Sequence, residues 1–288
     1  MIKFNLKKSI HAAEGLLTLE ISQSVMQGDF IGLYGPSGVG KTTILRMLAG
    51  LALPQKGHIQ VGENVWYDST RNINLSPQKR DIGMVFQDFA LFPNMTVREN
   101  IAYAVPAKHD KKIINELLEI VQLVEFADRY PQTLSGGQQQ RVAMGRALAK
   151  KPKILLLDEP LSSLDQEARF KLQDEIYKIH HYYGLTTILV SHDLKELSKL
   201  CNRVLEINGG SVINEGTPAE IFGEEDKGDP IQISGIVKRI SPQLSGYQVE
   251  VETEGKQAII INVRGADFKT GDTIVIDASI INLKIKRI

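Results

Sequence analysis

A glycine-rich run between an apolar segment and a helical pattern constrains the fold of this chain more than any other feature. Residues 35–43 read GPSGVGKTT and fit the pattern G-x-x-x-x-G-K-[ST]. They follow the apolar segment FIGLY (30–34) and precede the helical pattern TTILRMLAG. Glycines let backbone N–H groups turn inward around an anion, and the following helix directs its positive end there. A chance match in a glycine-rich turn is the alternative, but the flanking strand and helix favour a phosphate-binding loop.

Every position of this loop is a candidate phosphate contact. The positions are Gly35, Pro36, Ser37, Gly38, Val39, Gly40, Lys41, Thr42 and Thr43. We expect Lys41 to reach the β- and γ-phosphates of a nucleotide and the Thr42 hydroxyl to bind Mg²⁺.

Short apolar runs alternate with amphipathic segments, which predicts an α/β fold with a parallel sheet. Helical spacing of apolar residues predicts helices over 111–126 and 166–182. Residues 51–80, punctuated by proline and glycine, are predicted to be irregular or antiparallel. The predicted buried strands are 30–34, 82–86, 154–158, 187–191 and 203–207.

Composition excludes several classes of protein. The 288 residues are 42% hydrophobic and 24% charged, which argues against a disordered or fibrous chain. Lys+Arg and Asp+Glu both number 34, so strong non-specific attraction to nucleic acid is not expected. One cysteine, Cys201, allows no disulfide within the chain and suits a reducing compartment. No run approaches the ~20 apolar residues that span a bilayer, and the first residues lack a signal-type apolar core.

Two carboxylates follow a predicted buried strand in ILLLDEP (154–160). Ligands bind open parallel sheets at this end of the strands. Asp158 could hold Mg²⁺ through water, and Glu159 could polarise a water that attacks the γ-phosphate. The alternative is a strand that ends in a solvated acidic turn, and the upstream phosphate loop favours the functional interpretation.

The run LSGGQQQR (134–141) precedes another helical pattern. Ser135 suits a helix N-cap, and the following glycines permit close approach to an anion. From the residues alone, an ordinary capped helix start is an almost equally good interpretation.

Composition changes near residue 223. Residues 223–230 are polar and rich in turn formers, which predicts a linker. Residues 231–288 carry five β-branched runs, which predict a small all-β barrel of the OB type. With Tyr247 and Phe268 as its aromatics, this segment lacks the stacking platforms of a nucleic-acid site. We therefore expect no nucleic-acid partner.

Together, these motifs resemble those of ABC-transporter ATPases in identity and order. The resemblance rests on GPSGVGKTT, Gln87 in VFQDFALFP, LSGGQQQR, ILLLDEP, SSLD (162–165) and SHD (191–193). It covers residues 1–222 and implies a P-loop, RecA-like cassette with a helical subdomain that binds and hydrolyses ATP with Mg²⁺. It also implies a homodimer in which each ATP is bound by one copy's P-loop and the other copy's signature helix.

The resemblance assigns further roles to matching positions. Ser135, Gly136, Gly137 and Gln138 would contact the partner's nucleotide. Gln87 would approach Mg²⁺ and the attacking water, and His192 would hold the γ-phosphate. Asp165 would cross the dimer seam. His192 as a polar strand end and Asp165 as a helix N-cap are the simpler alternatives. Family members also carry an aromatic residue that stacks on adenine, and residues 11–16 (HAAEGL) offer none.

Residues 78–101 resemble the importer branch of the family. The apolar residues after Gln87 are expected to receive a short helix of a membrane permease. They are Phe89, Leu91, Phe92, Pro93 and Met95. Internal packing of the helical subdomain is the alternative. The chain would then sit at the cytoplasmic face of the membrane, and an extracytoplasmic solute-binding protein would act with it indirectly.

Among importers, the resemblance is to the molybdate ATPase subunit. It is carried by residues 74–101, by GTPAEIF (216–222) and by IDASIINLKI (276–285). Residues 231–288 are similar to the TOBE or Mop-like module, without its usual Ser-Ala-Arg-Asn opening, and either oxyanion sensing or dimer reinforcement would suit them. Sulfate, spermidine and sugar importers share much of the pattern. A soluble, non-transport ABC ATPase is the alternative from another class, but the chain has neither tandem cassettes nor a sustained heptad run.

Overall fold

The computed structural model describes residues 1–12, 15–106, 110–162, 164–223, 231–243, 246–253, 258–263, 268–278 and 283–287. Predicted features at Ala13, Glu14 and Ser163, and nearly all of the predicted linker, lie outside these residues. The chain divides into two compact units, Met1–Phe222 and Gly223–Ile288.

The strands of the described residues form three sheets. They are β1 (Ile2–Ala12), β2 (Gly15–Val25), β3 (Phe30–Tyr34), β4 (Lys56–Val61), β5 (Asn64–Asp68), β6 (Ile73–Asn74), β7 (Ile82–Val85), β8 (Ile154–Asp158), β9 (Thr186–Val190), β10 (Arg203–Asn208), β11 (Ser211–Gly216), β12 (Ile231–Gln243), β13 (Gly246–Thr253), β14 (Ala258–Val263), β15 (Thr273–Ala278) and β16 (Leu283–Arg287).

The helices of the described residues belong to the first unit. They are α1 (Lys41–Ala49), α2 (Val97–Ala104), α3 (Lys111–Ile120), α4 (Gly136–Leu148), α5 (Gln166–Tyr183), α6 (Leu194–Leu200) and α7 (Pro218–Phe222). In these described residues, no helix is long and apolar enough to cross a membrane.

The central sheet has the order β11-β10-β3-β9-β8-β7, and its strands from β10 to β7 are parallel. Strand β8 shows why the sheet is buried on both faces: Leu155 and Leu157 enter one core cluster, while Ile154 and Leu156 enter another. Parallel strands covered on both faces need continuous apolar sequence, and this confirms the predicted parallel α/β fold.

A second, antiparallel sheet has the order β2-β1-β4-β5-β6. Strands β4 to β6 confirm the antiparallel interpretation of residues 51–80. The antiparallel pair of β1 and β2 was not predicted, because the apolar residues of these strands alternate with polar ones and form no continuous apolar run.

Arg80, which is buried, donates from Nη1 to the carbonyls of Met47 and Leu48 at 2.8 and 2.6 Å and so caps the end of α1.

The helix predicted over 111–126 is shorter than expected. Helix α3 ends at Ile120, and Gln122 takes a positive φ of 55°. A short 3₁₀ turn then covers Val124–Phe126. Val121 and Leu123 follow the helix and are still buried in the same core, whereas Val124 is 55% exposed because the backbone has turned. Helices α2, α3 and α4 follow β7 and precede β8 in the chain, and they pack against one another.

The second unit is one antiparallel sheet of order β14-β13-β12-β15-β16. Its core is formed by Val237, Val249, Val251, Ile261 and Ile274. The five predicted strands are therefore present. Their closure into a barrel of the OB or TOBE type stays a prediction.

Candidate functional site

The loop between β3 and α1 is shaped by glycines. Gly35 has φ 143°, and a Cβ there would lie 2.1 Å from the Ile207 carbonyl oxygen, so only glycine fits. Gly40, with φ 96°, takes the N-cap position of α1 in the left-handed conformation and brings no side-chain cap. The first N–H groups of α1 thus point into the loop, which gives the helix an anion-binding end.

Lys41 lies inside this loop. Its side chain is buried, and Nζ donates to the carbonyl oxygens of Gly35 and Pro36 at 2.6 and 2.7 Å. Burial lowers the pKa of Lys41, while the nearby carboxylates of Glu159 and Asp158 oppose the shift. The loop carbonyls hold the ammonium where the sequence predicts the phosphates.

Thr42 and Asp158 meet although they are far apart in the chain. The Thr42 hydroxyl at the start of α1 donates to Asp158 Oδ1 at the end of β8, over 2.7 Å. Burial raises the pKa of Asp158, and the hydrogen bond from Thr42 opposes that rise. A hydroxyl beside a carboxylate is a donor set that suits hydrated Mg²⁺, and both residues were predicted for this purpose.

Glu159 lies close to the other two predicted catalytic residues, Gln87 and His192. Its Oε2 lies 3.3 Å from Gln87 Nε2, which donates to it, and 3.7 Å from His192 Nδ1. Glu159 also has a φ of 45°, a left-handed conformation that is uncommon for a residue with a Cβ. Its backbone N–H donates to the Val190 carbonyl over 3.0 Å, which ties the strained residue to β9. Such strain is typical of sites where side-chain position matters more than local energy.

The predicted signature residues begin α4. Ser135 Oγ accepts from the N–H of Gln138 over 3.3 Å, and Gln138 Oε1 accepts from the N–H of Ser135 over 2.9 Å. This is a capping box, followed by Gly136 and Gly137 in the first turn. Among the described residues, no hydrogen bond or ion pair joins Ser135, Gly136 or Gly137 to the loop of Lys41.

Asp165 is a helix N-cap in this structure. Its Oδ1 accepts from the N–H of Ala168 over 2.9 Å at the start of α5. This geometry agrees with the simpler of the two sequence interpretations. A contact across a dimer seam stays a prediction.

The apolar residues after Gln87 are divided between the interior and the surface. Phe89 is buried in the main core, whereas Leu91 and Phe92 are partly exposed. Phe92 packs against Tyr103, with ring centroids 4.7 Å apart. The Phe89 side chain therefore serves internal packing, whereas Leu91 and Phe92 present apolar surface.

Sequence reasoning missed the arginine that holds this segment. Phe89 and Ala90 have positive φ angles of 57° and 44°. Arg146, near the end of α4, donates to both of their carbonyl oxygens at 2.7 and 2.6 Å. No sequence pattern marks such a residue, since its partners are backbone atoms more than fifty positions away.

The residues expected to lack an adenine-stacking aromatic side chain include the last residues of β1 and the first of β2. His11 pairs with Leu16 across β1 and β2, and Leu16 is 71% exposed. No aromatic side chain lies among the described residues of 11–16.

The sheet order, the glycine loop before α1 and the Thr42–Asp158 pair define a P-loop nucleotide-binding protein of the α/β class. A family profile described as ABC transporter matches residues 19–162. A sulfate/thiosulfate import ATP-binding protein from Agrobacterium fabrum is 40% identical over 268 residues, which cover 88% of this chain and 77% of that relative. The chain belongs to the ABC transporter family.

Other relatives are importer ATP-binding proteins with different solutes. A sulfate/thiosulfate import ATP-binding protein from Chromobacterium violaceum is 48% identical, over 70% of this chain and 55% of the relative. A trehalose/maltose import ATP-binding protein from Thermococcus litoralis is 40% identical, over 82% of this chain and 63% of the relative. The chain thus spans somewhat more than half the length of these two relatives.

A solved structure supports the fold. The dimeric post-hydrolysis state of the ATP-binding cassette MJ0796, bound to ADP and Pi, has a TM-score of 0.64 and 31% identity. The alignment covers 76% of this chain and 99% of that one.

Proposed function

We propose that this chain is the ATP-binding and ATP-hydrolysing subunit of an ABC importer, bound at the cytoplasmic face of a membrane. The observation that carries the proposal is the convergence of Gln87 and His192 on Glu159, one residue after the carboxylate that meets Thr42. A phosphate loop alone would suit many nucleotide-binding proteins. A carboxylate flanked by a polar amide and a histidine adds the means to activate water.

The residues of the loop bind and orient the triphosphate. Lys41 and the N–H groups at the start of α1 stabilise the charge on its phosphates. Thr42 and Asp158 would hold Mg²⁺ with Gln87 assigned to the same ion, and the ion would supply positive charge that neutralises the phosphates. Glu159 accepts the proton of the attacking water, Gln87 orients that water, and His192 donates to the γ-phosphate.

The signature residues support action between two copies of the chain. The N–H groups at the start of α4 form a second anion-binding helix end, with glycines that allow close approach. In the proposed homodimer Ser135, Gly136, Gly137 and Gln138 bind the nucleotide held by the P-loop of the partner, and Asp165 lies at the seam. ATP then favours the closed dimer, and hydrolysis reopens it.

Leu91 and Phe92 form the apolar surface that we assign to a permease helix. Partial exposure of both residues supports this contact, whereas Phe89 fixes the segment from within. The solute-binding protein of the importer would meet the permease and not this chain.

We infer that the solute is a tetrahedral oxyanion, with molybdate first and sulfate second. Molybdate rests on the resemblance of residues 74–101, 216–222 and 276–285. Relatives of 48% and 40% identity that are named for sulfate/thiosulfate import support the same ligand class. Sugar and spermidine importers are the further alternatives. Purification of the tagged chain with its membrane partners, followed by titration of the co-purified binding protein with molybdate, sulfate, maltose and spermidine, decides among them.

The activity itself is tested with Glu159→Gln. Loss of a general base lowers turnover by ~10²–10⁴-fold, whereas the affinity for Mg-ATP should be unchanged because the phosphate contacts remain. Phosphate release and equilibrium nucleotide binding measure the two effects. Turnover near the wild-type rate in this variant would remove Glu159 from its role.

A further inference from the structure

His192 is one of the residues that line a small cavity. The cavity has a volume of about 10 Å³ and is lined by polar side chains that include Glu159, Arg169, Ser191 and Glu196. This is enough room for one water molecule.

Two buried polar atoms of the lining have no hydrogen-bond partner among the described residues. They are Arg169 Nε, a donor, and Glu196 Oε1. The other carboxyl oxygen of Glu196 accepts from Ser191 Oγ over 2.6 Å. An unpaired buried polar atom destabilises the folded state, so a native site of this kind calls for a bound water.

Hydrogen bonds hold the residues on either side of His192 in the chain, Ser191 and Asp193. Ser191 Oγ accepts from the N–H of Asp193 over 3.0 Å, and Asp193 Oδ1 accepts from the N–H of Glu196 over 3.2 Å. Asp193 Oδ2 accepts from Arg169 Nη1 over 2.7 Å. The two chain neighbours of His192, Ser191 and Asp193, are therefore both fixed by hydrogen bonds to Glu196 or Arg169.

We propose that the cavity binds one water molecule between Arg169 Nε and Glu196 Oε1, and that Glu196 acts through Ser191 as a positioning residue for His192. This inference rests on the proposed function, because His192 matters only if the chain hydrolyses ATP. Neither the sequence motifs nor the named relatives assign a role to this water site or to Glu196.

Charges around Glu196 are consistent with a water partner. Burial raises the pKa of Glu196 to about 7, the hydrogen bond from Ser191 opposes the rise, and Asp193 adds to it. Arg169 lowers this pKa and Glu159 raises it. Near neutral pH the carboxyl thus exists in both forms. A water molecule can donate to the ionised carboxylate or accept from the protonated carboxyl, whereas a fixed side-chain donor would satisfy only the ionised form.

The first test is a crystal structure of the full chain at a resolution that shows ordered water. The proposal expects density within hydrogen-bond distance of both Arg169 Nε and Glu196 Oε1. A cavity without density, with both atoms still unpaired, would overturn the water site.

The second test separates positioning from simple stability. In Ser191→Ala and Glu196→Ala, kcat for ATP should fall about tenfold or more while KM stays within about twofold, because His192 is misplaced but the phosphate loop is intact. Glu196→Gln should retain most of the activity, since its amide can accept from Ser191 and donate to the water. The exposed neighbour Lys195 supplies the matched control, and Lys195→Gln should behave as wild type.

The outcomes are distinguishable. Folded Ser191→Ala with a wild-type kcat, even with a lowered melting temperature, would overturn the positioning role and leave the proposed function standing. Absence of Mg²⁺-dependent hydrolysis by the wild-type chain would overturn the proposed function and the positioning role together, whereas the water site would still be decided by the crystal structure.

Discussion

At the scale of single residues, the site is held by backbone atoms as much as by side chains. Lys41 is fixed by two carbonyls of its own loop, and Glu159 by its N–H to Val190. Such contacts pre-organise charge before a ligand arrives, which reduces the reorganisation needed during reaction.

Replacement of Lys41 by alanine removes the ammonium from the phosphate loop. Charge-assisted hydrogen bonds are worth about 1.5–3 kcal/mol, so Lys41→Ala should weaken Mg-ATP binding about tenfold to a hundredfold. Calorimetric titration measures the change, and exposed Lys79→Ala is the matched control. An unchanged affinity in Lys41→Ala would displace the lysine from this role.

His180 should make stability depend on pH. Its Nδ1 lies 2.9 Å from Thr187 Oγ1 in the core, and burial lowers its pKa to about 4 from 6.5. The unfolded state therefore binds the proton first, and the free energy of unfolding falls as the pH drops from about 6.5 to about 4, by at most about 3 kcal/mol.

Chemical denaturation of His180→Gln across this range is the measurement. The difference in stability between wild type and variant should shrink as the pH falls, whereas His11→Gln, at an exposed position, should follow the wild-type curve. A constant difference between wild type and His180→Gln would contradict the assignment.

How far sequence predicts the site depends on what each residue bonds to. Thr42, Asp158 and Glu159 could be predicted as candidates because sequence spacing places them at strand ends and helix starts, where parallel sheets bring side chains together. Arg146, Arg169 and Glu196 were not found, because their partners are loop atoms whose positions depend on tertiary packing.

At the scale of elements, Arg146 connects α4 with the segment that follows Gln87. Its guanidinium donates to two successive carbonyls and lies 5.5 Å from the centre of the Phe92 ring. Burial lowers the pKa of Arg146, and Asp88 opposes this shift. Arg146 thus fixes the position of the segment after Gln87 relative to α4.

Arg146→Lys should loosen this connection. Lysine offers a point charge instead of a planar fork, so one carbonyl of the strained Phe89–Ala90 pair loses its donor. We expect the free energy of unfolding to fall by about 1–3 kcal/mol, and turnover to fall with it because Gln87 is less well placed. Denaturant titration and phosphate release measure both, with exposed Lys150→Gln as control. Wild-type stability in Arg146→Lys would show that the fork is dispensable.

Elements were predicted where one pattern dominates the segment. Strand β8 is a continuous apolar run, and its prediction is confirmed. Helix α3 was overextended because the apolar spacing outlasts the helix, which ends before the positive φ of Gln122. Periodicity reports which side chains face the core and not where the backbone turns.

At the scale of the whole molecule, the two units differ in what sequence reveals. Met1–Phe222 carries the motifs of a known family, so its fold and site could be predicted together. Gly223–Ile288 carries a strand pattern without a chemical motif, so its sheet could be predicted but its ligand could not.

We propose that ATP is bound between two copies of the chain, each completing the site of the other. Sedimentation velocity of Glu159→Gln with Mg-ATP and with Mg-ADP tests this directly. The variant is expected to bind ATP without hydrolysing it, so the ATP-bound state persists during the measurement. We expect a mass about twice 32.0 kDa with Mg-ATP and a mass of 32.0 kDa with Mg-ADP. A species of 32.0 kDa at saturating Mg-ATP would contradict it.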